Sequence, residues 1–274
     1  LTFQQRLGMD DGVTVKGSGD KNFKLHVVDN TPQLQIGADQ GQIIKIAIGI
    51  TIIEINSPLT KFSEELGVEG SIEAIARFNS NLFLATERGL LLLLTNEKSK
   101  LPGIYEQNRF KKIKSFLGGL WDLLNFKVGD ENFLLIASDN AVLQMDKDMN
   151  FEKIFDCYPW RLYQSPLDER RLFVGLDNGF ASLYRKNGGW KVEHQFPEIN
   201  EKIFTIHEEN NGNLWLGTKG QGVILIERTS LSDFSDISVS KYYSESGLPE
   251  NSDIFVAKYD DMILFGTNRG MYQM

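Results

Sequence analysis

The chain has 274 residues, of which 41% are apolar and 24% are charged, and its formal net charge is −8. This composition indicates a globular protein, and the acidic balance argues against a nucleic-acid partner, because affinity for phosphates comes largely from Lys and Arg. Cys157 is the only cysteine, which excludes an intramolecular disulfide and a thiolate metal site. No stretch approaches the roughly 20 apolar residues of a membrane helix.

A predicted β-strand opens the chain at residues 1–5 (LTFQQ), and the turn-rich segment LGMDDG follows it. Because the sequence starts without Met or a signal-like segment, we expect it to be a piece of a longer protein. Residues 17–21 (GSGDK) lack the spacing of a phosphate-binding loop, so we interpret them as a linker.

A repeated hairpin pattern runs through the rest of the chain. Each copy is a β-rich run that ends in a small residue, then a short polar turn and a second β-rich run. The six copies are residues 34–46 (LQIGADQGQIIKI), 82–94 (LFLATERGLLLLL), 133–145 (FLLIASDNAVLQM), 172–184 (LFVGLDNGFASLY), 211–227 (NGNLWLGTKGQGVILIE) and 263–274 (ILFGTNRGMYQM). Their aligned small residues lie 38 to 52 residues apart and are Gly37, Ala85, Ala137, Gly175, Gly217 and Gly266. This spacing is typical of a four-stranded propeller blade.

Each copy has β-rich neighbours. An apolar run precedes it, as in residues 202–207 (KIFTIH), and another usually follows, as in residues 110–116 (FKKIKSF). We name the four strands A, B, C and D, with the repeated hairpin as B and C. The predicted fold is therefore all-β, a β-propeller of four-stranded antiparallel blades in a single domain that spans residues 1–274. A small residue in B lets a neighbouring blade approach, since blades pack most closely near their common axis.

The number of blades follows from the ends of the chain. The last copy stops after its C strand, so residues 1–5 are predicted to complete the last blade and close a ring of six blades. Residues 43–55 are predicted to form strands C and D of the first blade. Seven blades are the alternative, with a degenerate repeat around Gly8 and Gly12, although the stretch from Gly8 to Gly37 is too short for four strands with turns.

Residues 202–251 carry the features of a known family. They contain an apolar A strand, an Asn-Gly turn, LWLGT, a glycine-containing turn, an aromatic D strand and SGLPEN. This pattern resembles the two-component-regulator propeller repeat of bacterial hybrid sensor kinases. The resemblance implies a ligand-sensing domain in the periplasm or outside the cell, belonging to a membrane receptor through which it forms a homodimer and transduces a signal.

The sequence contains no assembled catalytic set. His26, His194 and His207 are scattered over three repeats, and no nucleophile elbow, Ser-x-x-Lys or HExxH motif occurs. Residues 146–150 (DKDMN) start like a calcium loop, but Phe151 stands where such a loop needs Gly, so we expect a hairpin turn. We therefore predict a non-catalytic domain with neither cofactor nor metal. An interaction scaffold and a lyase- or lactonase-type propeller enzyme are the alternatives.

The predicted ligand site is the face that collects the B-to-C turns, which antiparallel strands bring to one end of every blade. These turns contribute Asp39, Gln40, Glu87, Arg88, Asp139, Asn140, Asp177, Asn178, Lys219, Gln221, Asn268 and Arg269. Trp121 and Trp160 join them at the start of two adjacent A strands, whereas Trp215 is predicted to be core, and Trp190 and Lys147 lie on the opposite side. Indoles beside amides, carboxylates and cations suit a small polar ligand with an apolar face, such as an oligosaccharide. The alternative is that both indoles merely pack between blades.

Overall fold

The computed structural model describes residues 62–95, 108–114, 116, 118–260 and 262–273, together with the backbone of four strands between residues 13 and 45. The chain divides into two compact units, Leu1–Thr60 and Lys61–Met274, and each is described by itself. Over the described residues the fold is all-β, as predicted, because every regular element is a strand except two short 3-10 turns at Glu64–Leu66 and Ser244–Ser246.

The first unit contains one antiparallel sheet, sheet I, whose strands pair in chain order. They are β1 (Val13–Lys16), β2 (Asn22–Val28), β3 (Thr31–Gln35) and β4 (Ile43–Lys45). The repeated hairpin of residues 34–46 falls on β3 and β4, the third and fourth strands rather than the second and third, because β1 precedes β2 in the same sheet. Gly37, Asp39, Gln40 and the predicted closing strand at residues 1–5 lie outside the described residues.

The described residues of the second unit form five antiparallel sheets, and in each sheet the strands that follow one another in the chain also pair. Sheet II has β5 (Ile72–Phe78), β6 (Asn81–Thr86), β7 (Gly89–Leu94) and β8 (Arg109–Lys114). Sheet III has β9 (Leu120–Val128), β10 (Glu131–Ser138), β11 (Ala141–Met145) and β12 (Phe151–Asp156). Sheet IV has β13 (Pro159–Gln164), β14 (Arg171–Leu176), β15 (Gly179–Lys186) and β16 (Gly189–Gln195). Sheet V has β17 (Ile203–Glu208), β18 (Leu214–Thr218), β19 (Val223–Arg228) and β20 (Ile237–Tyr242), and sheet VI has β21 (Phe255–Tyr259), β22 (Met262–Thr267) and β23 (Gly270–Gln273).

The predicted strand order is confirmed in this unit. The repeated hairpin forms the second and third strands of every sheet from II to VI, so strands A to D are the first to fourth strands. Residues 146–150 form the turn between β11 and β12, as expected. In that turn the Asp146 carboxylate accepts hydrogen bonds from the backbone N–H groups of Asp148 and Asn150, at 2.8 and 2.9 Å.

Apolar clusters hold successive sheets together. The first strands β5, β9, β13, β17 and β21 contact one another in turn. Between sheets III and IV, the fully buried core includes Phe126, Leu135 and Leu172. Trp215 is buried between sheets V and VI with its ring centroid 5.4 Å from that of Phe265, which confirms the prediction that it is core.

The small residue of the second strand lets neighbouring sheets approach, as predicted. A Cβ on Gly175 would lie 2.9 Å from Cγ2 of Ile203, which begins the first strand of the next sheet. A Cβ on Gly217 would collide with the backbone oxygen of Ile254, just before sheet VI. Carbon atoms do not approach a backbone oxygen so closely, so glycine is required where these sheets meet.

Adding a methyl group at this contact should therefore destabilise the protein. We expect Gly217→Ala to lower the free energy of unfolding by about 1–3 kcal/mol, because the backbone of the next sheet must move to admit it. Gly266→Ala is the matched control, since its Cβ would lie 3.7 Å from the nearest atom, in Phe255, and no neighbour has to move. Thermal and denaturant unfolding of both variants measure the difference, and equal losses would contradict the packing argument.

Candidate functional site

The turns between second and third strands lie where the sequence predicts them. They contain Glu87 and Arg88, Asp139 and Asn140, Asp177 and Asn178, Lys219 and Gln221, and Asn268 and Arg269. We call these turns, together with the connections that lead into the first strands of sheets III to VI, the loop face. Backbone hydrogen bonds join its parts: the N–H of Asp177 donates to the oxygen of Tyr158 at 2.8 Å, and that of Lys219 to the oxygen of Lys202 at 3.0 Å.

A β-bulge carries each of the two tryptophans of this face. The register between β9 and β10 shifts by one residue at Trp121, and the register between β13 and β14 shifts in the same way at Trp160. Equivalent shifts occur at Glu73 in sheet II and Phe204 in sheet V. A bulge changes the direction in which the side chain of its additional residue points. Four sheets therefore each present one such side chain near the start of the first strand, and in sheets III and IV it is an indole.

The two indoles stack on each other across the boundary between sheets III and IV. Their ring centroids lie 4.3 Å apart and the interplanar angle is 23°. The indole N–H of Trp121 donates to Oδ1 of Asp139 at 2.7 Å, and the backbone N–H of Gly119 donates to Oδ2 at 3.0 Å. Both rings are half-buried. The stack therefore packs between sheets, as the alternative interpretation expects, while part of each ring stays exposed.

Two glycines make room for this arrangement. Gly118 has φ +104°, and a Cβ there would collide with the Asp139 carboxylate. A Cβ on Gly119 would lie 3.0 Å from Cζ2 of Trp121. The Gly-Gly pair before β9 thus lets the carboxylate and the indole lie close to the backbone, and the positive φ of Gly118 is one that other residues adopt only with strain.

Two lysines that flank sheet V approach the same stack. Lys202, directly before β17, places its ammonium 3.1 Å from the centroid of Trp160 and 2.8 Å from Oδ1 of Asp177. Because Trp121 covers one face of the Trp160 ring, Lys202 covers the other. Lys219 places its ammonium 5.9 Å from the same centroid. We call these six residues the indole site: Trp121, Asp139, Trp160, Asp177, Lys202 and Lys219.

Asp122, the residue that follows the bulge in β9, forms a hydrogen bond that joins β9 to β13 next to the indoles; we call this contact the brace. Oδ2 of Asp122 accepts the backbone N–H of Leu162 in β13 at 2.8 Å and lies 3.6 Å from Nε of Arg161. Thr205 occupies the same place in β17, where its Oγ1 accepts the N–H of Val256 at 2.9 Å. Burial raises the pKa of Asp122, although Arg161 and the backbone amides act in the opposite direction.

The structure brings together five of the residues predicted for the site and leaves the others apart. Trp121, Asp139, Trp160, Asp177 and Lys219 belong to the indole site. Within the described part of the chain, no hydrogen bond, ion pair or cation–π contact joins either indole to Arg88, Asn140, Asn178, Gln221, Asn268 or Arg269. Lys202 was missed, although its place directly before an A strand puts it on the same face.

Two cavities lie elsewhere on the loop face. One of about 590 Å³ is lined by Asn251, Asp253, Phe255, Asn268 and Met271, among others. A smaller one, of about 220 Å³, is lined by residues that include Gln221, Tyr243, Pro249 and Glu250. Two of the predicted residues that do not reach the indoles, Asn268 and Gln221, therefore line cavities of their own.

Other titratable groups lie apart from the indole site. Burial raises the pKa of Cys157 to about 12, so its thiol is protonated at neutral pH. Burial, with Lys258 nearby, lowers the pKa of His207. In the part of the chain that the structure describes, no group of three His, Cys, Asp or Glu side chains could hold a metal ion, and no helix has the length and apolar character to cross a membrane.

Comparison with known proteins gives matches in structure only. No family model matches the chain, and a search of the curated proteins finds no significant match. The extracellular domain of BT4673 from B. thetaiotaomicron, described both as a one-component and as a hybrid two-component system, superposes with a TM-score of 0.55 and 14% identity in one of two structures. That match covers 97% of this chain and 39% of the other.

In two further matches, the aligned region covers a larger share of the other structure. Catalytically inactive virginiamycin B lyase from Staphylococcus aureus with quinupristin gives a TM-score of 0.51 and 11% identity, covering 94% of this chain and 77% of the lyase. The β-propeller domain of Cps50 (Swd1) from Myceliophteria thermophila gives a TM-score of 0.52 and 11% identity, and the match covers 100% of this chain and 85% of that domain. Proteins with different functions share this likeness, and at such identities it supports the propeller fold alone.

The raised pKa of Asp122 gives a test of the brace beneath the indoles. The folded protein takes up a proton on Asp122 at a higher pH than the unfolded chain, whose carboxyl has its ordinary value of 3.8. Stability therefore rises as the pH falls between these two values. The Asp122→Asn variant has no titrating group at this position and serves as the reference. Between pH 7 and pH 4.5, the melting temperature of the unsubstituted protein should rise relative to that of the variant as the pH is lowered. If the melting temperature of the unsubstituted protein minus that of Asp122→Asn stayed constant or fell as the pH was lowered, the pKa of Asp122 would not be raised in the folded protein.

Proposed function

We propose that the chain is a non-catalytic ligand-binding domain that takes a small polar ligand, such as an oligosaccharide, on its loop face. The observation that carries this proposal is the stack of Trp121 and Trp160, half-buried and flanked by carboxylates and ammonium groups. Aromatic faces beside hydrogen-bonding groups suit molecules that have both apolar C–H faces and polar edges, as sugars do.

We further propose that this binding serves sensing, in the extracytoplasmic part of a two-component signalling protein that forms a homodimer. Two observations support the proposal: the resemblance of residues 202–251 to the two-component-regulator repeat, and the likeness in fold to the extracellular domain of BT4673. The chain spans only 38–39% of the length of those two matched structures, so signalling would require regions beyond the matched portion.

A ring of six blades, closed by residues 1–5, is part of the same proposal, with seven blades as the alternative. Its support is that, among the described residues, sheet VI has three strands where sheets II to V have four, so that β23 has no described partner on its outer edge.

Removing the proposed closing strand should weaken the fold. We expect deletion of residues 1–5 to lower the melting temperature by several degrees and to promote aggregation, because it exposes a sheet edge. Replacing the same residues with a Gly-Ser segment of equal length should have the same effect, since it restores length without β-propensity. Unchanged melting curves for both variants would rule out this closure.

Binding through the indoles predicts a specific loss on substitution. In a thermal-shift screen of oligosaccharides, Trp121→Ala and Trp160→Ala should each weaken binding of any ligand found by roughly 10-fold, because each substitution removes an apolar aromatic face against which the ligand would be buried. Arg88→Ala combined with Arg269→Ala should weaken it too if the ligand spans the wider face.

Two controls accompany these variants. Lys147→Ala, in the turn on the opposite face, should leave the affinity unchanged. Trp121→Phe and Trp160→Phe keep an aromatic face and should lose less than the Ala variants. If Lys147→Ala weakened ligand binding and the indole variants did not, the ligand would bind on the opposite face and the proposed site would be wrong.

An enzyme of lyase type is the second candidate, favoured by the likeness in fold to virginiamycin B lyase. Against it, the carboxylates of the indole site are already engaged: Asp139 accepts two hydrogen bonds and Asp177 pairs with Lys202. We therefore expect none of the screened sugars, esters or lactones to be turned over. Turnover that a single substitution abolishes would favour the enzyme instead.

A further inference from the structure

The two lysines of the indole site differ in their counter-ions. Lys202 has the Asp177 carboxylate at 2.8 Å, and its side chain is only 19% exposed. Lys219 is exposed, and no carboxylate of the described residues lies within 4.0 Å of its ammonium. Asp139, the other carboxylate of the site, already accepts hydrogen bonds from Trp121 and Gly119. Lys219 is therefore the one ammonium group of the site without a carboxylate at ion-pair distance among the described residues.

Both lysines start from fixed backbone positions. The N–H of Lys219 donates to the oxygen of Lys202 at 3.0 Å, and Lys219 also forms a β-bridge with Asp253. Their backbones are thus held side by side, while each flexible four-carbon side chain can change direction. Two ammonium groups can therefore converge on one ligand group without any rearrangement of the strands.

The charge of the ligand decides how well it fits this site. A cation would have to displace Lys202 from Trp160 and Asp177 and would then be repelled by Lys219. A neutral ligand would leave Lys219 without a counter-ion. An anion would meet two ammonium groups, and hydrogen bonds between ionised partners are roughly twice as strong as neutral ones. Of the two carboxylates in the site, Asp139 is directed to the N–H groups of Trp121 and Gly119, and Asp177 is 55% exposed, so that water screens its charge.

We propose that the indole site takes a hexuronate or a closely related sugar acid, whose carboxylate accepts hydrogen bonds from Lys202 and Lys219. Lys202 exchanges Asp177 for the ligand carboxylate and moves off the Trp160 ring, and water solvates the released Asp177 carboxylate, which is 55% exposed. The uncovered ring then receives the C–H face of the sugar. This inference rests on the proposed binding function and narrows its ligand to an acidic saccharide.

A matched pair of disaccharides tests the inference on the full chain. Digalacturonate carries carboxylates where neutral galactobiose carries hydroxymethyl groups, so the two differ mainly in charge. We expect digalacturonate to bind at least 10-fold more tightly by titration calorimetry, to change tryptophan fluorescence, and to bind less well as salt rises. Lys202→Gln and Lys219→Gln should each weaken its binding roughly 10-fold, and Lys147→Gln should not.

The outcomes separate this inference from the function on which it rests. Equal affinity for both disaccharides, binding of neither, or full affinity in both lysine variants would overturn the sugar-acid assignment. Tryptophan-dependent binding of a neutral sugar would still uphold the proposed function, whereas sugar binding that is indifferent to Trp121→Ala and Trp160→Ala would remove both. If Lys202→Gln lowers the melting temperature, the exposed Lys219→Gln variant keeps the test decisive.

Discussion

The close approach of neighbouring sheets at the second strand is the contact on which the second unit depends. Gly175 lies against Ile203 and Gly217 against Ile254, and at both places the neighbour belongs to the beginning of the next sheet. Because sheets this close share one apolar core, their first strands lie side by side and the connection between sheets is short. The residues that begin a sheet are thereby brought beside the turn of the preceding one, and this is where Lys202 meets Asp177.

The β-bulges at the start of the first strands account for the indole site. At the start of a first strand, an additional residue keeps the rest of the strand in register while its own side chain is turned outward. Trp121 and Trp160 occupy this position in adjacent sheets, so their rings meet at 4.3 Å. Asp122, directly after the first bulge, uses its carboxylate to bond the backbone of the next first strand. One local irregularity thus positions both the exposed ring and the brace below it.

The sequence was sufficient to predict the hairpin repeat, the small residue of each second strand and the face on which Trp121, Trp160 and Asp139 lie. These depend on local turn chemistry and on spacing, which a single chain displays directly. The stacking of the two indoles and the role of Lys202 were not predictable, because they depend on a register shift that arises only when strands pair. Two predicted residues show why turn position alone does not place a side chain at the indoles. Asn268 lies in sheet VI, with sheet V between it and Trp160, and Arg88, in the neighbouring sheet II, lies 4.0 Å from Glu87 of its own turn.

The opposite end of sheets IV and V shows what a purely structural polar cluster looks like in this protein. The Arg171 guanidinium donates two hydrogen bonds to Glu193 at 2.8 Å, and Arg228 pairs with Glu208 with both side chains wholly buried. Burial raises the pKa of Glu208 and lowers that of Arg228, so keeping these groups ionised costs free energy. The same groups link the two sheets, because the Ser165 hydroxyl donates to Glu208 and Arg171 donates to the backbone oxygen of Leu231. The indole site differs in the property that matters for binding. Its Asp177 is 55% exposed, and its Lys219 has no counter-ion among the described residues. An open cluster with an unneutralised charge can still gain from a ligand, whereas the sealed one cannot.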